Sequence, residues 1–271
     1  MRPAEVRQAW QTIRQIDGWF SSEAARLFGL LDAVQARASV VGDLFEIGVH
    51  HGRSALLLCH MARTGEWVRV SDLFGAQSDN VSRSGRGDRT VFEQNLGALI
   101  PEFDALEIFE KRSDQLTREE IGGPYRFFHI DGGHLTHEAL TDLHLAADVL
   151  HDAGVIVLDD PFRCEWPRVT EAFLQFLDHR HDFVPVALGF NKLVICKRDA
   201  RRTYDDALAA PWDRFSRRVW DGKELLLAGS PVRVFVIPMH RKIVGLDERI
   251  SWALWLQSAL RLRLRRALRG R

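Results

Sequence analysis

The stretch "DLFEIGVHHGRSALLL", residues 43–58, decides how the chain is read. DLFEIGV (43–49) has the length and composition of a buried strand, and SALLLCHMAR (54–63) that of a packed helix, with Gly48 to Gly52 as the turn between them. Open α/β sheets are built from such units, and this turn is where they bind nucleotides. The spacing is Gly-x-x-x-Gly. A dinucleotide-binding loop needs a further glycine so that the backbone can approach a pyrophosphate, and His50 stands there instead. No Gly-Lys-Ser/Thr follows, which excludes a P-loop and leaves a nucleoside ligand without a pyrophosphate. Glu46 just before the turn and Asp72 at the end of the next strand fit that ligand, since a carboxylate at the second position accepts hydrogen bonds from ribose hydroxyls; the alternative is that both are ordinary polar strand ends.

Outward from this unit the pattern recurs: strand 67–74, helix 89–99, strand 106–112, a short helix near 114–120, strand 125–131, helix 136–150, strand 154–160 and helix 166–180. The alternation predicts an α/β fold with a doubly wound, mostly parallel sheet. Two strands around LGFN, within 182–198, predict a final antiparallel hairpin. Helices over 3–17 and 21–37 precede the sheet. Beyond about residue 199 the rhythm stops, with a strand over 230–242 and a helix-like segment over 249–268, so residues 1–198 are read as one domain and 199–271 as a C-terminal extension. The polar segment 75–89 is either a surface loop or a lid on the ligand crevice.

Composition bounds the function. The hydrophobic fraction of 46%, with 8 Trp and 16 Phe, is ample for a core, and 37 basic residues balance 37 acidic ones, so no nucleic-acid partner is expected. Cys59, Cys164 and Cys196 form no CxxC pair, which argues against disulfides and structural zinc and for a cytoplasmic setting. Neither a signal peptide nor a membrane-spanning run is recognised.

"FEIGVHHGRSALLL" (45–58) resembles motif I of class I S-adenosylmethionine-dependent methyltransferases, especially the catechol O-methyltransferase-like and macrolide-sugar O-methyltransferase-like groups, in which Glu-x-Gly-x-x-x-Gly-x-Ser recurs. "IDGGHLTHEALTDLHLAADVLHDAGVIVLDD" (130–160) resembles the same groups, and the similarity spans about residues 40–198. The resemblance implies a Rossmann-like methyltransferase fold with S-adenosyl-L-methionine as cofactor. By it Glu46, Gly48, Gly52 and Ser54 surround the methionine part, Asp72 takes the ribose hydroxyls, and Ser113 and Asp114 lie near the adenine. His50 and His51 are expected to face solvent or the cofactor's edge.

Asp131 ends the fourth strand of the sheet, and Asp159 and Asp160 end the fifth. Adjacent parallel strands deliver their ends to one rim, so the three carboxylates converge, and clustered carboxylates repel unless a cation is present. All-oxygen ligation favours Mg2+ or another hard divalent cation; the alternative is that LDD merely caps a strand. In the catechol-methylating relatives the metal ligands stand at the positions of Asp131, Asp159 and Asp160, Asp131 also bordering the cofactor, and a bound cation acidifies the acceptor hydroxyl. His134 takes the position of those enzymes' basic lysine and is read as the general base, the alternative being a histidine that caps the following helix. His129 is expected to be a packed strand residue, and His137, His144 and His151 one solvated helix face, too widely spaced for one ion.

After Glu248 there is no acid, while Trp252, Trp255 and seven arginines follow; residues 249–271 could lie peripherally on an anionic membrane or equally pack on a partner subunit. The expectation is a metal-dependent O-methyltransferase acting on a sugar or glycan hydroxyl, as a homo-oligomer. Competing expectations are a phenolic or natural-product acceptor, a NAD-dependent oxidoreductase, and a non-catalytic nucleoside-binding scaffold.

Overall fold

The computed structural model describes residues 1–76, 80, 85–209 and 223–235. The expected helix over 249–268, residues 236–242 of the expected strand and most of the tip of the 75–89 segment lie outside the described residues.

Two helices come first, α1 (Pro3–Ile13) and α2 (Ser22–Arg37). The second starts where Ser21 accepts a hydrogen bond from the Ala24 amide at 3.1 Å, satisfying one amide that the helix leaves unpaired. The alternating units follow: β1 (Asp43–Ile47), α3 (Arg53–Met61), β2 (Val68–Asp72), α4 (Arg89–Leu99), β3 (Leu106–Glu110), α5 (Arg118–Ile121), β4 (Tyr125–Ile130), α6 (Thr136–Val149), β5 (Leu150–Asp159) and α7 (Pro167–His179). Next come β6 (Phe183–Gly189), β7 (Lys192–Lys197), α8 (Arg201–Ala209), β8 (Lys223–Leu227) and β9 (Ser230–Phe235).

These strands form one sheet in the order β3-β2-β1-β4-β5-β7-β6-β9-β8. The first five are parallel, and β7 enters antiparallel between β5 and β6, as the LGFN hairpin predicts. Beyond β6 the sheet continues: β9 pairs parallel with β6, and β8 pairs antiparallel with β9. Tyr204 of α8 is fully buried, its hydroxyl donating to the Ala153 carbonyl of β5 at 2.5 Å. The described part of 199–271 is therefore built onto the same sheet.

Successive strand residues point to opposite faces, and the sheet uses both. Leu44, Phe127 and Val155 pack beneath α1, α2, α3 and α8, while Phe45, Phe128 and Ile156 pack beneath α6 and α7. Each such side chain contributes on the order of 1.5–3 kcal/mol on burial. The central strand β4, YRFFHI, is buried throughout and admits one charge, Arg126. Its guanidinium donates to both Glu66 oxygens, to Asp32 and Gln35, and to the Met61 carbonyl, all at 2.8–2.9 Å, which ties α2 and α3 to the sheet.

The histidines expected on one solvated helix face are corrected. α6 ends at Val149 because Leu150 already pairs with Tyr125 of β4, so His151 belongs to a strand. His144 packs against the Phe176 ring at 5.5 Å, and His137 alone of the three is exposed.

Candidate active site

The turn after β1 is shaped by its glycines. Gly48 has φ +83°, and a Cβ there would fall 1.8 Å from the Asp131 carbonyl oxygen, so only glycine allows β1 and β4 to end this close. Gly52, at φ +95°, caps α3, and a Cβ would meet the Phe92 ring at 2.5 Å. Asp72 closes the turn from β2. Its Oδ2 accepts the Val49 and His50 amides at 2.6 and 2.8 Å, and its Oδ1 the Phe74 amide at 2.6 Å. Two bonds fill a carboxylate oxygen, so only Oδ1 has acceptor capacity left.

A cavity of about 800 Å³ opens along the strand ends beside this turn. Gly48, Ser54, Asp72, Ser113 and Asp114 line one part of it, and Asp131, His134, Asp159 and Asp160 another, so most of the expected residues meet in one space. Two stand behind its wall. Gly52 faces Phe92 and Leu56. Glu46 is fully buried, its Oε1 2.6 Å from Nδ1 of the equally buried His129. Burial pushes the Glu46 carboxyl up to about 8, with the Ser54 hydroxyl opposing it, and burial, with the charge of Lys192, holds His129 well below its ordinary value. Both shifts favour the uncharged forms of the two groups.

At the other end His134 lies 2.8 Å through Nε2 from Asp160 Oδ2, with its ring 4.2 Å from that of Trp166. Burial would raise the Asp160 carboxyl, but hydrogen bonds from His134 and Asn191 and the nearby charge of Arg163 hold it at about 2. An ionised carboxylate only accepts, so Nε2 carries the hydrogen and the basic lone pair of neutral His134 is on Nδ1. Asp160 and Asn191 both have left-handed backbones, φ 57° and 63°. Asparagine and aspartate adopt this region more readily than other residues with a side chain, which suits them to the tight turns that end β5 and join β6 to β7.

Sequence reasoning missed five groups at the rim and mouth. Asn191 Nδ2 donates to Asp159 Oδ1 at 2.7 Å and to Asp160 Oδ1 at 2.5 Å, and Arg163 donates to Asp160 Oδ1 at 3.1 Å. The buried Lys192 ammonium pairs with Asp159 Oδ2. Burial alone would lower the Lys192 pKa, but Asp159 and Asp131 outweigh it and raise it; burial and the Asp159 charge push the Asp131 carboxyl well above its usual range. At the mouth Trp19 is 78% exposed, its ring 5.2 Å from that of His50. Arg53 fixes this corner by donating to the carbonyls of Ile16 and Phe20 at 2.6 and 3.2 Å. The signal for Asn191 and Lys192 was the hairpin itself, whose two-residue turn sets what stands opposite Asp159.

The fit to a divalent cation turns on the carboxylate oxygens. One oxygen each from Asp131 and Asp159, with a His129 nitrogen, lie within 4.8 Å of one another, as do ligand atoms of Asp131, His134 and Asp160. Every oxygen of Asp159 and Asp160 nevertheless has a protein donor, Asp159 Oδ1 also taking the Asp160 amide at 2.8 Å. Hard divalent cations want six or more oxygen ligands with open positions among them. A rim already filled by an ammonium, a guanidinium and an amide does not fit one.

The fit to S-adenosylmethionine is better. Ser54, in the first turn of α3, lines the cavity beside Gly48, so the positive end of that helix suits a carboxylate there, with Asp131 on the same wall.

Residues 45–161 match a family model described as a methyltransferase domain. Among solved structures, the O-methyltransferase NovP is similar at TM-score 0.53 and 16% identity, over 65% of this chain and 80% of that one. An S-adenosylhomocysteine-bound methyltransferase, PaMTH1 of Podospora anserina, is similar at TM-score 0.50 and 15% identity, over 73% and 89%. At these identities the likeness is one of fold. No curated protein matches the chain significantly. The family model and the fold agree: residues 45–161 are similar to a methyltransferase domain, and the sheet is that of the O-methyltransferases it resembles.

Proposed function

We propose that the chain is an O-methyltransferase that moves a methyl group from S-adenosylmethionine to a hydroxyl of a sugar or glycan. When bound, the cofactor supplies an electrophilic methyl group on a sulfonium. Gly48 and Ser54 at the α3 terminus receive its methionine part, Asp72 a ribose hydroxyl through Oδ1, and Ser113 and Asp114 border the adenine. The observation that carries the reading is the His134–Asp160 pair at 2.8 Å, which lines the same cavity as these residues. An alcohol is a poor nucleophile until its proton leaves. His134 accepts that proton, and the ionised Asp160 fixes its tautomer and stabilises the imidazolium that forms.

The sugar preference draws on the polar rim and the exposed Trp19 at the mouth, a flat apolar face of the kind that C–H faces of a sugar ring stack on. A phenolic acceptor is the second reading, favoured by the Trp166 ring beside His134. The Mg2+ dependence expected from Asp131, Asp159 and Asp160 forms no step of this reading, because protein donors take the oxygens that the ion would need. Among the described residues no helix is long and apolar enough to cross a membrane. Peripheral membrane contact and self-association through 249–271 stay proposals, tested by liposome binding and by solution mass with that segment deleted.

Calorimetric titration with S-adenosylhomocysteine, with and without Mg2+, followed by a methyl-transfer screen of sugars and phenols, tests the function. Binding with transfer to a sugar hydroxyl is the expected result. No binding of S-adenosylhomocysteine would sink it.

A further inference from the structure

Lys192 is the first residue of β7 and stands opposite Asp159 in the antiparallel register of β5 and β7. Its side chain is 3% exposed and its ammonium pairs with Asp159 Oδ2, while the Phe20 ring centroid lies 5.4 Å from Nζ. Lysine is almost never buried unless paired, because its charge loses its hydration. The counter-charges here are the carboxylates on which a divalent ion would sit. An ammonium and a divalent ion on the same carboxylate repel each other strongly in a partly dehydrated site.

We propose that the ammonium of Lys192 is the resident cation of the Asp131–Asp159 rim, held in place of a divalent metal, and that Asp160 is the orienting partner of His134 and not a ligand. The positions of the donors require both halves. Asp160 Oδ2 faces His134 Nε2, and its Oδ1 accepts from Asn191 and Arg163, which leaves that carboxylate turned toward the base. A divalent ion there would place two further positive charges beside the imidazole that must take up a proton, opposing that uptake. Lys192 is absent from the residues lining the cavity, so it acts through Asp159 as a positioning residue. The inference rests on the methyltransferase reading for its chemical meaning, but its test does not depend on the acceptor.

The test is Mn2+ titration of the full chain, followed by the electron paramagnetic resonance signal of free Mn2+. The wild type is expected to show no saturable site. Lys192→Met, which keeps the length of the stem without its charge, is expected to gain one Mn2+ per chain, and Asp159→Asn added to it removes that site again. Lys192→Arg, which keeps a cation, behaves as the wild type. Saturable Mn2+ binding by the wild type that Asp159→Asn abolishes overturns the proposal, as does a folded Lys192→Met chain that gains no site. If Lys192→Met lacks a cooperative thermal transition, Lys192→Gln replaces it, and the wild-type titration decides in either case. A separate S-adenosylhomocysteine titration of the wild type keeps the two readings apart: its failure removes the methyltransferase reading and leaves the Mn2+ result standing.

Discussion

Nε2 of His134 and Oδ2 of Asp160 lie 2.8 Å apart, although they come from different loops at the ends of neighbouring strands. If this pair accepts the proton, His134→Gln should lower methyl transfer by roughly 10²–10⁴-fold. Asp160→Asn should lower it less, with S-adenosylhomocysteine affinity within about 3-fold of wild type in both, a change worth under roughly 0.7 kcal/mol. Steady-state rates beside calorimetry check this, and loss of cofactor binding in His134→Gln would move the residue to the cofactor's side.

Asp142 of α6 is fully buried, and burial, opposed by the Ser113 hydroxyl, pushes its carboxyl up to about 7 from an ordinary 3.8. The folded chain keeps a proton there that the unfolded chain releases, so stability should fall as pH rises between these two values and level off above them. Asp142→Asn removes the titration. It should stabilise the ligand-free protein by roughly 2–4 kcal/mol near pH 8, the difference closing toward about pH 4. Urea melts across that range measure it, and a pH-independent difference would contradict the assignment.

Trp19 contributes little to the fold, being largely exposed. Trp19→Ala should change stability by no more than about 0.5 kcal/mol. It should raise KM for a sugar acceptor by roughly 10-fold, as loss of about 1.4 kcal/mol of ring contact would, with kcat little changed. An unchanged KM would take Trp19 out of acceptor binding.

The Arg126 network makes a stability prediction remote from the cavity. Arg126→Ala leaves Asp32 and Glu66 buried with one cation fewer and should cost about 3–5 kcal/mol in urea unfolding. A loss below about 1 kcal/mol would mean that water replaces the guanidinium.

What could be read in the sequence was what is local. The β1 turn announces itself because its glycines are needed within five residues of one another, and the sheet because each unit repeats its own period. The convergence of Asp131 with Asp159 and Asp160 was legible from topology alone, since parallel neighbours end at one rim. What fills that rim was not. Lys192 stands 61 residues along the chain from Asp131, and its place depends on β7 entering between β5 and β6 in one register. After residue 199, β9 (Ser230–Phe235) falls within the strand expected over 230–242, whereas α8 and β8 were obscured for another reason: α8 buries only Tyr204 and Leu208, and in β8 Leu225 and Leu226 are exposed. Glu46 matched a motif yet faces His129 inside the sheet, a pairing that requires knowing that β1 and β4 are neighbours.

The turn Phe190–Asn191 has both residues in left-handed conformations, the geometry of a two-residue hairpin, and it fixes the register of β7 against β5. A side chain alternates faces at each step along a strand, so one inserted or deleted residue in this turn would carry Lys192 out of the rim and bring an apolar neighbour toward Asp159. A change in length at a loop tip, where insertions are usually harmless, would here exchange an ammonium for a hydrocarbon. Among diverged copies of this chain, the length of that turn should therefore track the need for a metal more closely than the identity of the carboxylates does.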